Sequence, residues 1–379
     1  MKHAALLLHF YQPPTQKPEV VTEIDRECYA PLFEMLRRTG APVTVNISWS
    51  LTEHLLELGP RSLDDLAAAP GVEFTSTAAW HPILPLFDPG ETARQTAFNC
   101  LGNGRVLGGR FRPSGFYPPE MAFDRGLAGT LADMGYAWTV TDDLPWTWYG
   151  REAPYDWIPE CGGIRVFLRS NFWSNLISFH GGDGTELAAR LVQGMEEWCG
   201  PGDAYILIAM DGETFGHHRK DGIDTILEPF LHALMSSREA CLSTLGKICG
   251  LFTSRTAEVP AGTWSTTVAD LEKGITWPLW DDPSNASHRA MWELLRLVLA
   301  AARSCGSERV AGLADRMLYS CPFWWASKGR ESPEQVRRGV DSMISTARAV
   351  AEYGDEGAGL MDRVEKIAGR IPAIAGRED

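Results

Sequence analysis

Four ionisable side chains lie close together near the middle of the chain, in the segment A-Y-I-L-I-A-M-D-G-E-T-F-G-H-H (204–218). They are Asp211, Glu213, His217 and His218, and they directly follow an apolar, β-prone run. Crowded acids repel one another, so their protonation should be shifted, unless they only satisfy the N-terminus of a helix. We favour a functional role, because α/β folds place their chemistry at the carboxyl ends of buried strands.

A further acid, Glu120, ends the segment G-F-Y-P-P-E (115–120). The two prolines fix the backbone and end a strand, so the carboxylate is held at the strand's exit; the alternative is the start of the next helix. Together with Asp211 it could cleave a glycosidic bond, because one carboxylate attacks the anomeric carbon while the other protonates the departing oxygen. Carboxyl groups ~5 to 5.5 Å apart would predict retention of configuration.

Short β-like runs alternate with amphipathic segments over the first two thirds of the chain. The predicted strands cover residues 4–10, 43–47, 72–75, 115–117, 137–140, 165–168 and 205–210. The clearest predicted helices between them cover residues 29–38, 92–107, 124–134 and 186–198. Most strands are followed at once by a polar or aromatic cluster, as at the carboxyl rim of a barrel. The pattern predicts an α/β fold whose parallel sheet is closed, or nearly closed, into a barrel.

The alternation stops near residue 257. We therefore predict a catalytic barrel over residues 1–256, and a connector with a C-terminal all-helical bundle over residues 257–379 that completes the substrate cleft. The predicted helices of this second part cover residues 285–302, 308–319, 333–353 and 359–371.

Composition narrows the range of partners. The formal net charge is −14, and no basic cluster is evident, which argues against nucleic acid or an acidic membrane as a partner. The eight cysteines form no C-x-x-C pair, so we expect inert reduced thiols, no metal site and no cofactor. The apolar run at the N-terminus is too short for a signal peptide and is interpreted as the first strand, which favours a cytoplasmic protein.

Tryptophan is abundant, with 14 residues in the chain, and flat aromatic faces are suited to stacking on sugar rings. The better candidates for such platforms are in polar loop sequence: Trp146, Trp148, Trp277 and Trp280. For any single tryptophan, ordinary core packing is the alternative. Asp143, which follows a predicted strand, could bind sugar hydroxyls or cap the next turn.

Several motifs, taken in order, resemble those of glycoside hydrolase family 57. They are H-F-Y-Q-P-P (9–14), E-F-T-S-T-A-A-W-H-P-I-L-P (73–85), G-F-Y-P-P-E-M-A (115–122), M-D-G-E-T-F-G-H-H (210–218), W-P-L-W-D-D-P-S-N (277–285) and L-Y-S-C-P-F-W-W-A-S (318–327). Each motif is short and weak alone, but their joint order is specific. The resemblance implies a (β/α)7 barrel followed by a helical domain, with retaining action on α-linked glucans or related α-glycosides.

The resemblance also implies roles for individual residues. Glu120 matches the nucleophile and Asp211 the general acid/base. The sugar contacts that it implies are His9 and Gln12 at the donor subsite, His81 near the same pocket, and Glu213 and His217 within the acid/base motif. Tyr11 stands where the family often has a second histidine, which leaves the choice of substrate open. The implied partner is an oligosaccharide or polysaccharide.

Three other functions are compatible with these residues. A 4-α-glucanotransferase or branching-type transglycosylase would use the same two carboxylates with a sugar as acceptor. A metal-dependent polysaccharide deacetylase would use T-D-D (141–143) and histidines as ligands, although the chain has no H-x-x-x-H pair to complete the shell. A non-catalytic carbohydrate-binding protein is the third, and the presence of both acids argues against it.

Overall fold

The chain forms two compact units. The computed structural model describes residues 1–59, 61–353 and 357–375. The first unit comprises Met1–Gln12, Gln16–Ala79 and Leu84–Val268, and the second comprises Pro13–Thr15, Trp80–Ile83 and Ala269–Asp379. The first unit thus continues past residue 256, where the sequence suggested a boundary, because the following segment pairs with it. Phe123 and Gly262 exchange backbone hydrogen bonds of 2.9 and 3.1 Å.

One largely parallel sheet forms the centre of the first unit. Its strands are β1 (Lys2–Phe10), β2 (Val43–Ile47), β3 (Val72–Phe74), β4 (Gly115–Phe116), β5 (Trp138–Asp142), β6 (Ile158–Cys161), β7 (Ile164–Arg169), β8 (Ala204–Asp211), β9 (Ala240–Leu242) and β10 (Ser254–Thr256). All the strands predicted from the sequence are present, each within two residues of its predicted ends. The sequence did not predict β6, β9 or β10, which are only three or four residues long.

The parallel strands follow one another around a barrel. β1 pairs with β2 and β8, β2 with β3, β4 with β5, and β7 with both β5 and β8. A parallel bridge between Ser76 and Phe116 connects the chain after β3 to β4 and completes the ring. β6 is antiparallel to β7 and lies outside this ring. The predicted α/β barrel is confirmed.

Alternation along β1 and β8 shows which side chains face the barrel interior. Leu6 and Leu8 pack in the cluster that includes the surrounding helices, whereas Ala5 and Leu7 pack in the interior cluster. Because successive side chains of a strand point to opposite faces, His9 continues the interior row of β1. Asp211 continues the interior row of β8 in the same way, and the two residues are register partners.

Helices and short helical turns connect the strands of the first unit. They are Pro18–Ile24, Asp25–Tyr29, Ala30–Thr39, Trp49–Leu58, Ser62–Ala68, Leu84–Leu86, Pro89–Leu107, Gly108–Arg110, Pro119–Met121, Arg125–Asp133, Leu144–Trp148, Asn171–Asn175, Leu176–His180, Gly184–Cys199, Gly212–Thr214, Ile223–Leu227, Glu228–Ser236 and Leu245–Leu251. Side-chain oxygens cap several N-termini by accepting a free backbone N–H, at Ser48, Asp88, Asp124, Asp183 and Thr244.

The second unit is helical, as the sequence predicted. Its helices are Val268–Lys273, Ala286–Ser304, Glu308–Arg316, Cys321–Trp324, Pro333–Tyr353, Gly357–Ala368 and Pro372–Ala375; the first of them begins at the last residue of the barrel unit. Ala286–Ser304 packs against Pro333–Tyr353, and both pack against Gly357–Ala368. Throughout the described part of the chain, no helix combines the length and the apolar character needed to cross a membrane.

Candidate active site

Asp211 lies at the carboxyl end of β8, where the strand gives way to a helical turn. The residue is exposed to solvent at the surface, although the protein atoms around its carboxyl group partly desolvate it. Desolvation raises the pKa of Asp211 to about 6, and the positive charge of Arg169 opposes that rise. A carboxyl group in this state exchanges a proton readily near neutral pH.

Two glycines fix the course of the loop that follows Asp211. A Cβ atom at Gly212 would overlap the ring of Phe10, so only glycine allows the chain to turn against β1. Gly216 has a φ of 101°, and a Cβ atom there would overlap the carbonyl of Glu27. The loop is therefore held against two neighbouring elements, and the side chains between these glycines have defined positions.

Glu120 occupies a strained turn after β4. Its φ of 59° and ψ of 15° are left-handed, as is the φ of 50° at Met121, and a residue other than glycine rarely adopts this conformation. The indole Nε1 of Trp264 donates a hydrogen bond of 2.8 Å to Oε2 of Glu120. The backbone N–H of Trp264 also donates to the carbonyl of Glu120 at 3.2 Å. Two hydrogen bonds from one residue thus orient this acid.

Glu120 and Asp211 both act on Tyr117. Burial raises the pKa of Tyr117 well above its ordinary value, and the charges of Asp211 and Glu120 raise it further. The contacts agree with this, because the ring of Tyr117 stacks on His9, the register partner of Asp211, and contacts Trp264, which binds Glu120. The exits of β4 and β8 therefore converge in the barrel, although the two acids are far apart in sequence.

Arg169, at the end of β7, is a buried cation beside these acids. Its guanidinium forms an ion pair of 2.6 Å with Asp142 and donates to the carbonyl of Ala209 at 2.8 Å. It also lies over the ring of Trp264, 5.8 Å from the centroid. A buried cation needs such partners to offset the loss of its hydration.

Asp143 lies next to this ion pair. Desolvation, and then the charge of Asp142, raises the pKa of Asp143 to about 7. The backbone N–H of Asn171 donates a hydrogen bond of 3.0 Å to its Oδ1. The sequence left open whether Asp143 binds sugar or caps a turn, and this contact with Asn171 engages one of its oxygens.

His9 lies in the barrel interior as the register partner of Asp211. Its ring stacks on Tyr117 with centroids 4.5 Å apart and planes inclined by 19°, and its Nδ1 lies 2.6 Å from Oδ1 of Asn46. Desolvation lowers the pKa of His9 to about 4, and Asn46 opposes that change. The imidazole is therefore neutral near pH 7 and can serve as a hydrogen-bonding group without bringing charge.

Glu213 and Gln12, which the sequence predicts to contact sugar, both bind Tyr29 in the folded chain. The hydroxyl of Tyr29 donates a hydrogen bond of 2.5 Å to Oε1 of Glu213, and Nε2 of Gln12 donates to that hydroxyl at 3.1 Å. Desolvation, and then the charge of Asp211, raises the pKa of Glu213 to about 8. Glu213 is thus a buried acid that Tyr29 holds in place and that interacts electrostatically with Asp211.

Three further residues that the sequence predicts to contact sugar have partners of their own. Nδ1 of His217 pairs with Glu27 at 2.8 Å. His81 and Trp277 belong to the second unit. There, Nδ1 of His81 lies 3.1 Å from the hydroxyl of Ser320, and the carbonyl of Trp277 accepts a backbone hydrogen bond from Trp280.

Two of the predicted sugar platforms are buried. Trp280 is 0% exposed and Trp146 is 4% exposed. Nε1 of Trp146 donates to the carbonyl of Glu152 at 2.9 Å, and the guanidinium of Arg151 covers its ring. Neither ring presents a free face to solvent, which corrects the expectation that they stack on sugar. The sequence placed both in loops, whereas Trp146 lies in the short helix Leu144–Trp148 and the carbonyl of Trp280 accepts a hydrogen bond from the buried Trp292.

Sequence reasoning did not assign a role to several residues of this site: Trp264, Arg169, Asn46, Tyr29 and Tyr117. Trp264 stood in a segment interpreted as a connector, and Arg169 directly follows a predicted strand. A charged residue directly after a buried strand could have identified Arg169 as a site residue. Trp264, the partner of Glu120, could not be found without the fold. Among the described residues, no group of three or more His, Cys, Asp or Glu side chains is arranged to hold a metal ion.

Comparisons with known proteins bear on both the fold and this site. Residues 11–255 match the model of glycosyl hydrolase family 57. The branching enzyme of that type from Pyrococcus horikoshii has a TM-score of 0.76 and 15% identity, covering 98% of this chain and 95% of its own. The 4-alpha-glucanotransferase from Thermococcus litoralis has a TM-score of 0.76 and 18% identity, covering 92% of this chain but only 60% of its own.

A third similar structure is an exo-type maltose-forming amylase from Pyrococcus sp. ST04, with a TM-score of 0.72 and 13% identity, covering 97% of this chain and 82% of its own. At these identities the likeness to solved structures establishes the fold. No curated protein sequence matches the chain. The family match covers more than half of the chain and includes the segments around Glu120 and Asp211. The chain belongs to glycosyl hydrolase family 57 and is a glycoside-hydrolysing or glycosyl-transferring enzyme.

Proposed function

We propose that this protein is a retaining glycoside hydrolase that acts on α-glycosidic bonds of an α-glucan or a related oligosaccharide. Glu120 is the nucleophile and Asp211 is the general acid/base. The observation that carries the proposal is that Tyr117 connects the two acids: its ring stacks on His9, the register partner of Asp211, and contacts Trp264, which binds Glu120. A double displacement at an anomeric carbon requires two carboxyl groups in the same pocket, one on each side of the bond that is cleaved.

The surroundings of Glu120 suit a nucleophile. A nucleophilic carboxylate must be ionised and must be aimed at a single carbon atom. The indole N–H of Trp264 binds the carboxylate through one oxygen and carries no charge, so it orients the group without neutralising it. The left-handed backbone at Glu120 is a further constraint of the kind that functional sites retain.

The surroundings of Asp211 suit a proton donor. Because its pKa is raised to about 6, a substantial fraction of Asp211 carries a proton in mildly acidic and near-neutral solution. General acid catalysis is most effective when the pKa of the donor lies close to the working pH. An aspartate with an ordinary pKa would be almost fully ionised at such a working pH.

The proposed reaction has two steps. In the first, an oxygen of Glu120 forms a bond to the anomeric carbon as the bond to the leaving oxygen breaks, and the proton of Asp211 passes to that oxygen. In the second, a water molecule gives a proton to Asp211 while its oxygen attacks the anomeric carbon, which releases the ester bond to Glu120. Two inversions give net retention.

Polar side chains around the two acids would bind the substrate. His9, neutral and next to Tyr117, can hydrogen-bond a sugar hydroxyl, and Asp143 has one oxygen that could do the same. We keep Gln12, Glu213 and His217 as candidate sugar contacts, because they lie in the segments that follow β1 and β8. For His81 and Trp277, in the second unit, sugar binding rests on the sequence resemblance.

Transfer to a sugar acceptor is the second candidate function. It is favoured by the likeness to a branching enzyme over 98% of this chain and to a 4-alpha-glucanotransferase over 92%. The first step would be unchanged, and a sugar hydroxyl would replace water in the second. Chromatography of products from a single maltooligosaccharide separates the two, because transfer gives chains longer than the substrate.

The proposed function is tested by following the configuration of the first product with the wild type and with Glu120→Gln. We expect a product of retained α configuration from the wild type and a loss of roughly 10⁴-fold or more in turnover for the variant. Glu57→Gln, at an exposed position, is the matched control and should keep full activity. An inverted product, or an unimpaired Glu120→Gln enzyme, would show that the assignment is wrong.

A further inference from the structure

Tyr117 is held rigidly among the residues of the candidate site. It follows β4 at an interior position and is fully buried. Its ring stacks on His9 and makes an edge contact with Trp264, whose centroid is 6.0 Å away. The backbone N–H of Tyr117 donates to the carbonyl of Ser76 at 2.8 Å. The ring and the backbone are both fixed, so the position of the hydroxyl is defined.

The hydroxyl of Tyr117 has no hydrogen-bond partner among the residues that the structure describes. Other buried tyrosines do have partners. The hydroxyl of Tyr29 donates to Glu213, that of Tyr205 donates to the carbonyl of Trp157 at 3.1 Å, and that of Tyr319 accepts from Thr15 at 3.2 Å. An unpaired buried hydroxyl is unfavourable for folding, by about 1–3 kcal/mol.

The charges around this hydroxyl determine its state. Burial is the largest cause of its raised pKa, followed by the carboxylates of Asp211 and Glu120, while Arg169 acts in the opposite direction. The phenol therefore keeps its proton over the working range of an enzyme. A protonated phenol can donate one hydrogen bond, and its ring contacts Trp264, which binds Glu120, and His9, the register partner of Asp211.

We propose that the hydroxyl of Tyr117 donates a hydrogen bond to a hydroxyl group of the glycosyl unit bound between Glu120 and Asp211. The substrate then supplies the partner that the folded chain lacks. The inference rests on the proposed function, because it needs a sugar at that place. Hydrogen bonds to sugar hydroxyls that strengthen in the transition state contribute to glycoside cleavage, so the contact acts on kcat/KM.

Tyr117→Phe removes the hydroxyl and keeps the ring that stacks on His9. Its kcat/KM should be measured on an aryl α-glucoside and on the series of its monodeoxy analogues. For the parent substrate we expect a loss of roughly 10- to 100-fold. One deoxy analogue, which lacks the partner hydroxyl, should be turned over equally by the wild type and the variant.

Thermal unfolding of Tyr117→Phe provides a second measurement. Because the variant loses an unpaired buried hydroxyl, its Tm should equal or exceed that of the wild type. Tyr205→Phe is the matched control: it removes a paired hydroxyl from the same barrel interior, and we expect a lower Tm with unchanged kcat/KM. A merely structural role for Tyr117 would give the reverse pattern.

Three results would overturn the inference. Full activity of Tyr117→Phe on the parent substrate would do so, and so would equal losses on every deoxy analogue, because the hydroxyl would then act on something other than the sugar. Activity in Glu120→Gln would refute the proposed function, and this inference with it. If Glu120→Gln is inactive while Tyr117→Phe is unimpaired, only the role of Tyr117 is wrong.

Discussion

The two acids at the ends of β4 and β8 are prepared in different ways. Glu120 sits in a left-handed turn, and Trp264 binds both its carboxylate and its backbone carbonyl. Asp211 has an ordinary extended backbone, with φ −63° and ψ 133°, and desolvation dominates its electrostatics. The first acid is controlled mainly by geometry and the second mainly by its environment.

This difference matches the proposed division of labour. A nucleophile must reach one carbon atom along one direction, and backbone strain with a hydrogen bond gives it that direction. A proton donor must change its charge twice in each cycle, and a pKa near the working pH makes both changes accessible. Substitutions that disturb the orientation of Glu120 should therefore lower kcat on every substrate, whereas substitutions at Asp211 should act most on substrates whose leaving group needs a proton.

The largest effect is expected for Asp211→Asn, which removes the proton donor. Turnover of oligosaccharides should fall by roughly 10²- to 10⁴-fold. An aryl glycoside whose leaving group needs no proton should lose far less in the first step, and azide, which needs no general base, should restore the second. Steady-state and burst kinetics on the two substrates measure this. Equal losses on both substrates without rescue by azide would contradict the role of Asp211.

Trp264→Phe should have the next largest effect, because it removes the N–H that orients Glu120. A hydrogen bond to a charged group contributes about 1.5–3 kcal/mol, so kcat should fall by roughly 10- to 100-fold with a smaller change in KM. Trp157→Phe, at another partly buried tryptophan of the barrel unit, should keep its kcat. A Trp264→Phe enzyme that loses stability but no kcat would show that the indole only packs.

The smallest effect is expected for Glu213→Gln, measured as stability against pH. Folding raises the pKa of Glu213 from its ordinary 4.5 to about 8. A raised carboxyl pKa contributes stability that is complete below pH 4.5 and is lost as pH rises through about 8. Glutamine does not titrate, so the Tm of the variant relative to the wild type should rise between about pH 5 and about pH 9, by a few degrees.

The control for this measurement is Glu57→Gln, whose exposed side chain should show no such dependence on pH. A difference in Tm between Glu213→Gln and the wild type that stays constant over the same pH range would mean that Glu213 is ionised in the folded protein at all these pH values. The role inferred for the contact between Glu213 and Tyr29 would then need revision.

Local sequence was sufficient to predict the scaffold. The apolar runs of the strands have the lengths that are typical of buried strands. The prediction for β2 matched both of its observed ends. Because parallel strands present their carboxyl ends at one rim, Glu120 and Asp211 could be placed at that rim without a structure. The short strands β6, β9 and β10 carried too few residues for a pattern.

Contacts between distant segments could not be predicted. The hydrogen bond from Trp264 to Glu120 joins residues 144 positions apart, and the one from Tyr29 to Glu213 joins residues 184 apart. Nothing in either local sequence specifies the partner. Burial of a particular side chain has the same limitation, which is why Trp146 and Trp280 were taken for platforms although the chain folds around them.

The central claim is that Glu120 becomes covalently bonded to the sugar. The most direct measurement is to incubate the protein with a ring-fluorinated α-glucosyl fluoride, which forms the intermediate faster than it loses it, and to map the modified peptide by mass spectrometry. We expect one glycosyl group per chain, on Glu120, in the wild type and in Asp211→Asn. A glycosyl group on another residue, or no adduct while the reagent is hydrolysed with inversion, would contradict the account.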